Sequence, residues 1–331
     1  MIYGKITLED WRTACVEGEE PESSFESYNL RLFFFGTLYN RDTLQATPDD
    51  TNAKLAADAF LSDPAYGFSR LDGSFTIVYY SENECGVVRD HHGTHYPVYC
   101  HIDGNFATSW QFLEDQLEEN FEPNLVSLST FLQRGILKKN NFALFDVHSL
   151  GAGEKFYMLT ELGYLMPVWA SVKLETQANV HSMFDSLKER NPGLYEKVAD
   201  DIYCLKRDSV FEHEPKVATE RNPDVEAYSR RYGELHAQAI RRRIGDSRKV
   251  GILLSGGYDS GSNLAALRSI YDGQIDSYSV GFKGDAWTEL PMARLMSETF
   301  GTRHHEYEID GTETSALPDI VRFLGEPFME G

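Results

Sequence analysis

The residues best suited to chemistry form one run of six, Ser255–Ser260, which reads Ser-Gly-Gly-Tyr-Asp-Ser and is called the SGGYDS loop below. Its two glycines allow a tight turn in which the backbone approaches a ligand without interference from a Cβ atom. A helix that begins here presents unpaired N–H groups and the positive end of its dipole, which suits a phosphate. Ser255 and Ser260 add hydroxyl donors, and Asp259 can accept from a backbone amide or hold Mg²⁺.

The loop differs from the two commonest nucleotide-binding patterns. No Gly-Lys-Ser/Thr follows it, which excludes a Walker loop, and it contains no GxGxxG, which removes a dinucleotide site. An ordinary strand-to-helix turn with an Asp or Ser cap is the alternative. The six residues together, between a strand and a helix, favour a nucleotide site.

The elements around the loop alternate between strand and helix. Short apolar runs predict buried strands, and 3.6-residue periodicity predicts helices between them, so this part should be a doubly wound parallel sheet. The predicted helices are 228–243, 260–271, 290–300 and 313–324, and the predicted strands are 249–254, 276–282 and 304–309.

Neither histidine nor cysteine spacing predicts a metal site. His304 and His305 adjoin each other at a strand start, so their side chains should point to opposite faces, and an ordinary strand edge is preferred. The cysteines lack CxxC or Cys/His spacing, and buried thiols in a reducing compartment are expected. They are Cys15, Cys85, Cys100 and Cys204.

The first half of the chain has a different pattern, of short strands separated by turns. It predicts an antiparallel sheet with some helix. The predicted strands are 30–39, 71–80, 85–90, 95–100 and 105–110, of which 71–80 and 85–90 form a hairpin, and a helix is predicted over 51–61.

Composition and charge narrow the function classes. The 331 residues are 41% hydrophobic and 25% charged, typical of a globular protein. The net charge of −21 argues against binding to nucleic acid or to an anionic membrane. Residues 215–331 carry 14 basic against 18 acidic residues, so most of the negative charge lies before them. We therefore expect two domains, 1–214 and 215–331. Without a signal sequence or an apolar run of about 18 residues, a cytoplasmic location is expected.

The second domain resembles the synthetase domain of class B, glutamine-hydrolysing asparagine synthetases. SGGYDS looks like the SGGxDS pyrophosphate loop of ATP pyrophosphatases, and the resemblance extends from 239 to 328 through VGILLSGGYDS, SYSVGFKG and LPDIVRFLGEPF. In that family ATP adenylates a carboxylate, releasing pyrophosphate, and an amine then displaces AMP to form an amide.

The resemblance implies a set of nucleotide-site residues. The loop would hold pyrophosphate, with Asp259 as the Mg²⁺ ligand, and two residues at strand ends would contact adenosine. The full set is Leu254, Ser255, Gly256, Gly257, Asp259, Ser260 and Val280. The expected cofactors are ATP and Mg²⁺, and the expected partners are ATP and a carboxylate substrate, with a homodimer as one candidate assembly.

The first domain is similar, more loosely, to a class II glutamine amidotransferase domain, an α+β sandwich of the N-terminal-nucleophile-hydrolase type. GTLYN, LDGSFTIVYY, VVRDHHGTHYPVYC and SLGAGEKF occur in the family's order. Its catalytic residues are missing, because Ile2 stands where the family has its N-terminal cysteine, and Phe35-Gly36-Thr37 stands in place of Asn-Gly-Glu. Cys15 lies too far along to substitute simply. We expect a degenerate domain that does not hydrolyse glutamine, with Asp72-Gly73 and Arg89-Asp90 kept for the scaffold.

Three functions stay open on this resemblance. The chain could form an amide with free ammonia, or close a ring within its substrate as β-lactam synthetases and lasso-peptide cyclases do, which are similar in lacking the cysteine. The family's synthetase domain continues past GEPF (325–328) with a further loop and a catalytic lysine. A truncated enzyme or a noncatalytic nucleotide-binding scaffold is therefore also expected, with the catalytic residues unknown.

Overall fold

The computed structural model describes residues 1–6, 11–64, 66–101, 104–117, 123–134, 147–159, 168–171, 224–284 and 288–324. The chain divides into two units, Met1–Pro215 with Val321–Gly331, and Lys216–Ile320, and each is described by itself. The predicted boundary at residue 215, the thiol of Cys204 and the GEPF segment lie outside the described residues. No described helix is long and apolar enough to cross a membrane.

The first unit contains two antiparallel sheets, in agreement with the predicted antiparallel pattern. The strands are β1 (Ile2–Lys5), β2 (Val16–Gly18), β3 (Ser23–Glu26), β4 (Leu30–Leu38), β5 (Gly73–Ser81), β6 (Glu84–Arg89), β7 (Tyr99–His101), β8 (Asn105–Ala107), β9 (Val147–Ser149), β10 (Glu154–Leu159) and β11 (Val168–Ser171). One sheet has the strand order β2-β1-β8-β7-β9, and the other has the order β11-β10-β6-β5-β4-β3. The helices are α1 (Asn52–Ser62), α2 (Trp110–Leu117) and α3 (Leu125–Arg134), with a 3₁₀ turn at Gly67–Arg70.

Apolar side chains hold the layers of the first unit together. One buried cluster mixes residues of both sheets, such as Ile2 and Phe106 with Phe35, which makes the pair of sheets a sandwich. A second cluster packs α1 on the six-stranded sheet, where the rings of Phe60 and Tyr79 are 4.9 Å apart. A third packs α2 on the five-stranded sheet.

The predicted hairpin is confirmed, since β5 and β6 pair antiparallel. The strand predicted over 95–100 is wrong in its first four residues, because β7 begins only at Tyr99. The main-chain N–H groups of Thr94 and His95 donate to the Asp90 carboxylate instead of to a neighbouring strand, and Pro97 has no N–H to donate. The strand predicted over 105–110 is also shorter, because α2 begins at Trp110. Cys85 and Cys100 are buried as expected, but Cys15 is exposed.

The second unit confirms the predicted parallel sheet. Its strands are β12 (Val250–Leu253), β13 (Ile275–Phe282) and β14 (Arg303–Ile309), in that order and all parallel. Its helices are α4 (Val225–Ile244), α5 (Tyr258–Ile270) and α6 (Leu290–Phe300), followed by a 3₁₀ turn (Thr312–Ala316). Helix α7 (Leu317–Leu324) begins in this unit, and its last four residues are grouped with the first unit. The helix predicted over 313–324 is therefore in two parts. Pro318 has no N–H and cannot continue a helix from the preceding turn, but it is tolerated in the first turn of α7.

Residues along β13 alternate between the two faces of this sheet. Ile275, Ser277 and Ser279 are at most 4% exposed, on the face that the described helices cover. Tyr278, Val280 and Phe282 are 45–63% exposed on the other face. Within residues 224–324, helices cover one face of the sheet, so the second helical layer of a doubly wound sheet stays a prediction.

Candidate nucleotide site

The SGGYDS loop starts where the end of β12 is tied to β13. Leu254, the residue before the loop, is 1% exposed. Its N–H donates to the carbonyl oxygen of Tyr278 at 2.8 Å, and its carbonyl oxygen accepts from the hydroxyl of Ser279. These contacts fix the start of the loop from within the core. The contact of Leu254 with adenosine stays a prediction, one that its buried side chain does not favour.

The two serines of the loop close it on itself. The N–H of Ser255 donates to Oγ of Ser260 at 3.1 Å, and the two Oγ atoms are 3.0 Å apart. Oγ of Ser260 also donates to the carbonyl oxygen of Gly257 at 3.2 Å, and the N–H of Gly257 donates to Oγ of Ser255 at 3.3 Å. The structure thus brings together three of the predicted residues, with both hydroxyls beside the turn.

Gly256 is required by the backbone. Its φ of +95° lies in the region that favours glycine. A Cβ atom built on it would lie 2.6 Å from the carbonyl oxygen of Glu289 and 3.2 Å from the main-chain nitrogen of Ala293. The start of α6 therefore packs directly against the loop, and only a residue without a side chain fits between them.

The loop leads into the first turn of α5. Gly257 is its N-cap residue, and no side chain caps the N–H groups of this turn. The first helical N–H groups of any helix lack acceptors within the helix, so this turn can receive an anion. Tyr258 is 95% exposed and Asp259 is exposed. The structure shows no side-chain partner for the Asp259 carboxylate among the described residues, which leaves its oxygens open for a cation.

Val280 lies apart from the hydroxyl cluster, on the exposed face of the sheet. It is 62% exposed and is paired across the sheet with Tyr307 of β14. Leu253, the last residue of β12, is 80% exposed. Exposed apolar side chains near the carboxyl ends of parallel strands are suited to a base or an acyl group. The contact of Val280 with adenosine is compatible with this position and stays a prediction.

Sequence reasoning missed one residue at the loop, Glu289. It is exposed and precedes α6, and its Oε1 lies 4.0 Å from a Cβ atom built on Gly257. A signal was available, because Glu289 follows β13 in the chain, and the loops after adjacent parallel strands meet at one edge of the sheet.

The two adjacent histidines point to opposite faces, as predicted. Nδ1 of His304 lies 2.8 Å from Oγ of Ser277 on the helix-covered face. His305 stacks on Tyr278 on the other face, with ring centroids 4.8 Å apart, and its Nε2 lies 2.9 Å from Asp276. Both histidines therefore contact side chains of the neighbouring strand β13. Among the described residues, no group of three or more His, Cys, Asp or Glu side chains could hold a metal ion.

One ion pair in this unit joins β13 to β14, and another joins α6 to β14. The Arg303 guanidinium binds both carboxylate oxygens of Asp276 and, with His305, lowers the pKa of that carboxyl to about 2. The Arg294 guanidinium binds both carboxylate oxygens of Glu306 at 2.6 Å and lowers the pKa of Glu306. These carboxylates are neutralised within the unit.

In the first unit, two positions expected for glutaminase chemistry lie in the core. Ile2 is 0% exposed and Phe35 is 1% exposed, and both belong to the cluster between the sheets. Gly36 has a φ of +111°, and a Cβ atom there would lie 2.2 Å from the carbonyl oxygen of Ser74. The backbone conformation at Gly36 and its close approach to Ser74 therefore require a glycine at this position. Thr37 is exposed.

The Arg89-Asp90 pair also has a structural role. The buried Asp90 carboxylate accepts main-chain N–H groups of His92, Thr94 and His95 at 2.9–3.0 Å. Burial raises the pKa of Asp90, but these hydrogen bonds outweigh burial and hold that pKa below its ordinary value. Arg89 donates to the carbonyl oxygens of Leu150 and Gly93 at 2.9 and 2.8 Å.

Comparison with known proteins finds similarity in the region that contains the loop. Residues 231–330 match the family model described as Asparagine synthase. A Mycobacterium tuberculosis protein provisionally described as a glutamine-hydrolysing asparagine synthetase is 32% identical over 101 residues, covering 29% of this chain and 15% of that protein. A second such protein, from Methanocaldococcus jannaschii, is 30% identical over 92 residues, covering 27% of this chain and 18% of its own length.

The matched stretch is a small part of these relatives, at 15–19% of their length. Among solved structures, the glutamine phosphoribosylpyrophosphate amidotransferase of Bacillus subtilis aligns over 93% of this chain and 76% of its own, with a TM-score of 0.33 and 12% identity. The family-model match to asparagine synthases is thus confined to residues 231–330, the region that contains the loop.

Proposed function

We propose that the chain forms amide bonds in an ATP-dependent reaction, by adenylation of a carboxylate that an amine then attacks. One observation carries this proposal. The SGGYDS loop, with its uncapped helix start and positive-φ glycine, lies inside the stretch that matches asparagine synthases. A strand, a glycine turn and a helix N-terminus are the parts that a pyrophosphate site requires.

The residues of the loop fit ATP and Mg²⁺. The free N–H groups at the start of α5 and the hydroxyls of Ser255 and Ser260 would receive the phosphate oxygens. Asp259 supplies an exposed carboxylate, the hard oxygen donor that Mg²⁺ prefers together with phosphate oxygens and water. The bound cation would neutralise charge on the leaving pyrophosphate.

We further propose that the amine is ammonia or an amine of the substrate itself, and that the first unit is a degenerate glutaminase. The buried positions of Ile2 and Phe35 support this, because neither side chain offers a nucleophile or a hydrogen bond to glutamine. A glutaminase assay on the chain should show no glutamate release above buffer. Release above that level would refute the assignment.

The adenylation step can be tested by pyrophosphate release from ATP·Mg²⁺ over a panel of carboxylates, each with and without ammonia. The Asp259→Ala variant should lose the release. Asp272→Ala is a matched control, since Asp272 is an exposed carboxylate beyond the other end of α5. Unaltered turnover in Asp259→Ala would refute the role of the loop.

Two other functions are separable by the same assays. Release that depends on a single substrate carrying both carboxylate and amine, and that ignores ammonia, would identify an intramolecular cyclase. Binding of ATP·Mg²⁺ in calorimetry without release on any carboxylate would indicate a noncatalytic nucleotide-binding protein.

A further inference from the structure

We propose that Glu289 is a second carboxylate of the nucleotide site and ligates, directly or through water, the Mg²⁺ that accompanies ATP. This inference rests on the proposed function and extends it to a residue outside the SGGYDS loop. It starts from the position of Glu289 and from the lack of any other role for its side chain.

Glu289 contacts the loop with both main chain and side chain. Its carbonyl oxygen occupies the space where a side chain on Gly256 would be, 2.6 Å from a built Cβ atom. Its Oε1 lies 4.0 Å from a Cβ atom built on Gly257, the N-cap residue of α5. The carboxylate therefore lies beside the helix start where we expect the phosphates.

The carboxylate of Glu289 has no structural partner among the described residues. Glu289 is the N-cap residue of α6, yet its side chain makes no capping hydrogen bond. Two carboxylates of the sheet differ in this respect, because Asp276 binds Arg303 and Glu306 binds Arg294. Asp259 and Glu289 are alike in carrying an unpaired charge at the loop.

The charge of Glu289 favours phosphate binding only when a cation lies between the carboxylate and the phosphates. An unpaired carboxylate beside a phosphate site repels the phosphates, because like charges a few ångströms apart disfavour binding. A divalent cation between them reverses the sign of this contribution. Mg²⁺ is commonly held by one or two carboxylates together with substrate phosphates and water, which matches the pair Asp259 and Glu289.

A structural role predicts a different outcome. A carboxylate at a helix N-terminus is stabilised by the helix dipole, so Glu289 could serve only α6. In that case its replacement would change protein stability and would affect the binding of metal-free ATP and Mg²⁺-bound ATP in the same direction. A metal ligand would affect the two in opposite directions.

The test is calorimetric titration of the Glu289→Gln chain with ATP, once in EDTA and once in saturating MgCl₂. The amide is nearly isosteric and exposed, so far-UV circular dichroism should be unchanged. We expect affinity for ATP·Mg²⁺ to fall about tenfold, the low end of the range seen when a group that supports a metal site is removed. Affinity for metal-free ATP should rise severalfold. Glu298→Gln, an exposed carboxylate on the same helix, should alter neither.

Each result decides the inference. Opposite changes in the two conditions support it. An unchanged affinity for ATP·Mg²⁺, or equal changes with and without the cation, would overturn it while leaving the proposed function intact. If the unmodified chain binds no ATP in either condition, the proposed function itself fails, and the role of Glu289 fails with it.

Discussion

The close packing between the SGGYDS loop and α6 makes Gly256→Ala the sharpest test of the site's geometry. Two costs combine. An alanine at a φ of +95° loses about 1–2 kcal/mol relative to glycine. The new Cβ atom, 2.6 Å from the Glu289 carbonyl oxygen, must push α6 away from the loop, and such overpacking costs about 1–3 kcal/mol. We expect the free energy of local unfolding of α5 and α6 to fall by about 2–5 kcal/mol.

Hydrogen exchange of peptides from α5 and α6 measures this loss locally, which avoids assuming that both units unfold together. Gly301→Ala is the matched control, because Gly301 also has positive φ, at 63°, but a Cβ atom there meets nothing within 4 Å. The control should show only the conformational cost, about 1 kcal/mol. Equal losses in the two variants would refute the close approach of α6 to the loop.

Three further predictions concern the rest of the chain. Lys155→Met should lower the free energy of unfolding in urea by about 3–5 kcal/mol, because the buried Glu84 carboxylate, 2.9 Å from Nζ of Lys155, loses its cation. Adding Glu84→Gln should recover most of this loss. A double variant no more stable than Lys155→Met alone would contradict the prediction. Because the folded pKa of Asp276 is lowered to about 2, its contribution to stability is complete above about pH 4 and is lost as pH falls through 2. The melting temperature should therefore fall less steeply between about pH 4 and about pH 2 in Asp276→Asn than in the unmodified chain. If the two melting temperatures fall in parallel, the ion pair is excluded as the cause. Phe35→Asn should destabilise the first unit by about 3–5 kcal/mol without creating glutaminase activity, as urea unfolding and glutamate release would show.

The strand, turn and helix around the SGGYDS loop could be predicted from sequence because their determinants are local. An apolar run, two glycines and a helical period follow one another within about twenty residues, and each specifies its own conformation. Helix α6 was predicted with the bounds that the structure has, Leu290–Phe300, since Pro291 marks its first turn and Gly301 ends it with positive φ.

The features that could not be predicted depend on contacts between distant segments. The predicted parallel sheet brings the segments after β12 and β13 to one edge, but no local pattern reports that Glu289 is the residue after β13 that contacts the loop. The strand expected over 95–100 was lost for a similar reason, since the buried Asp90 carboxylate binds main-chain N–H groups that a strand would need. Local propensity yields to such contacts when a buried charge must be satisfied.

The two units differ in which part of a family pattern they keep. In the first unit, two positions that the resemblance led us to expect at a glutamine site, Ile2 and Phe35, carry apolar side chains that pack together between the sheets. The positions that are retained, such as Gly36 and Asp90, are those that the backbone needs. In the second unit, the loop combines a glycine that the backbone needs, Gly256, with two exposed carboxylates that have no hydrogen-bond partner among the described residues, Asp259 and Glu289. The proposed site depends on these residues, and the assays of the Asp259 and Glu289 variants test their roles.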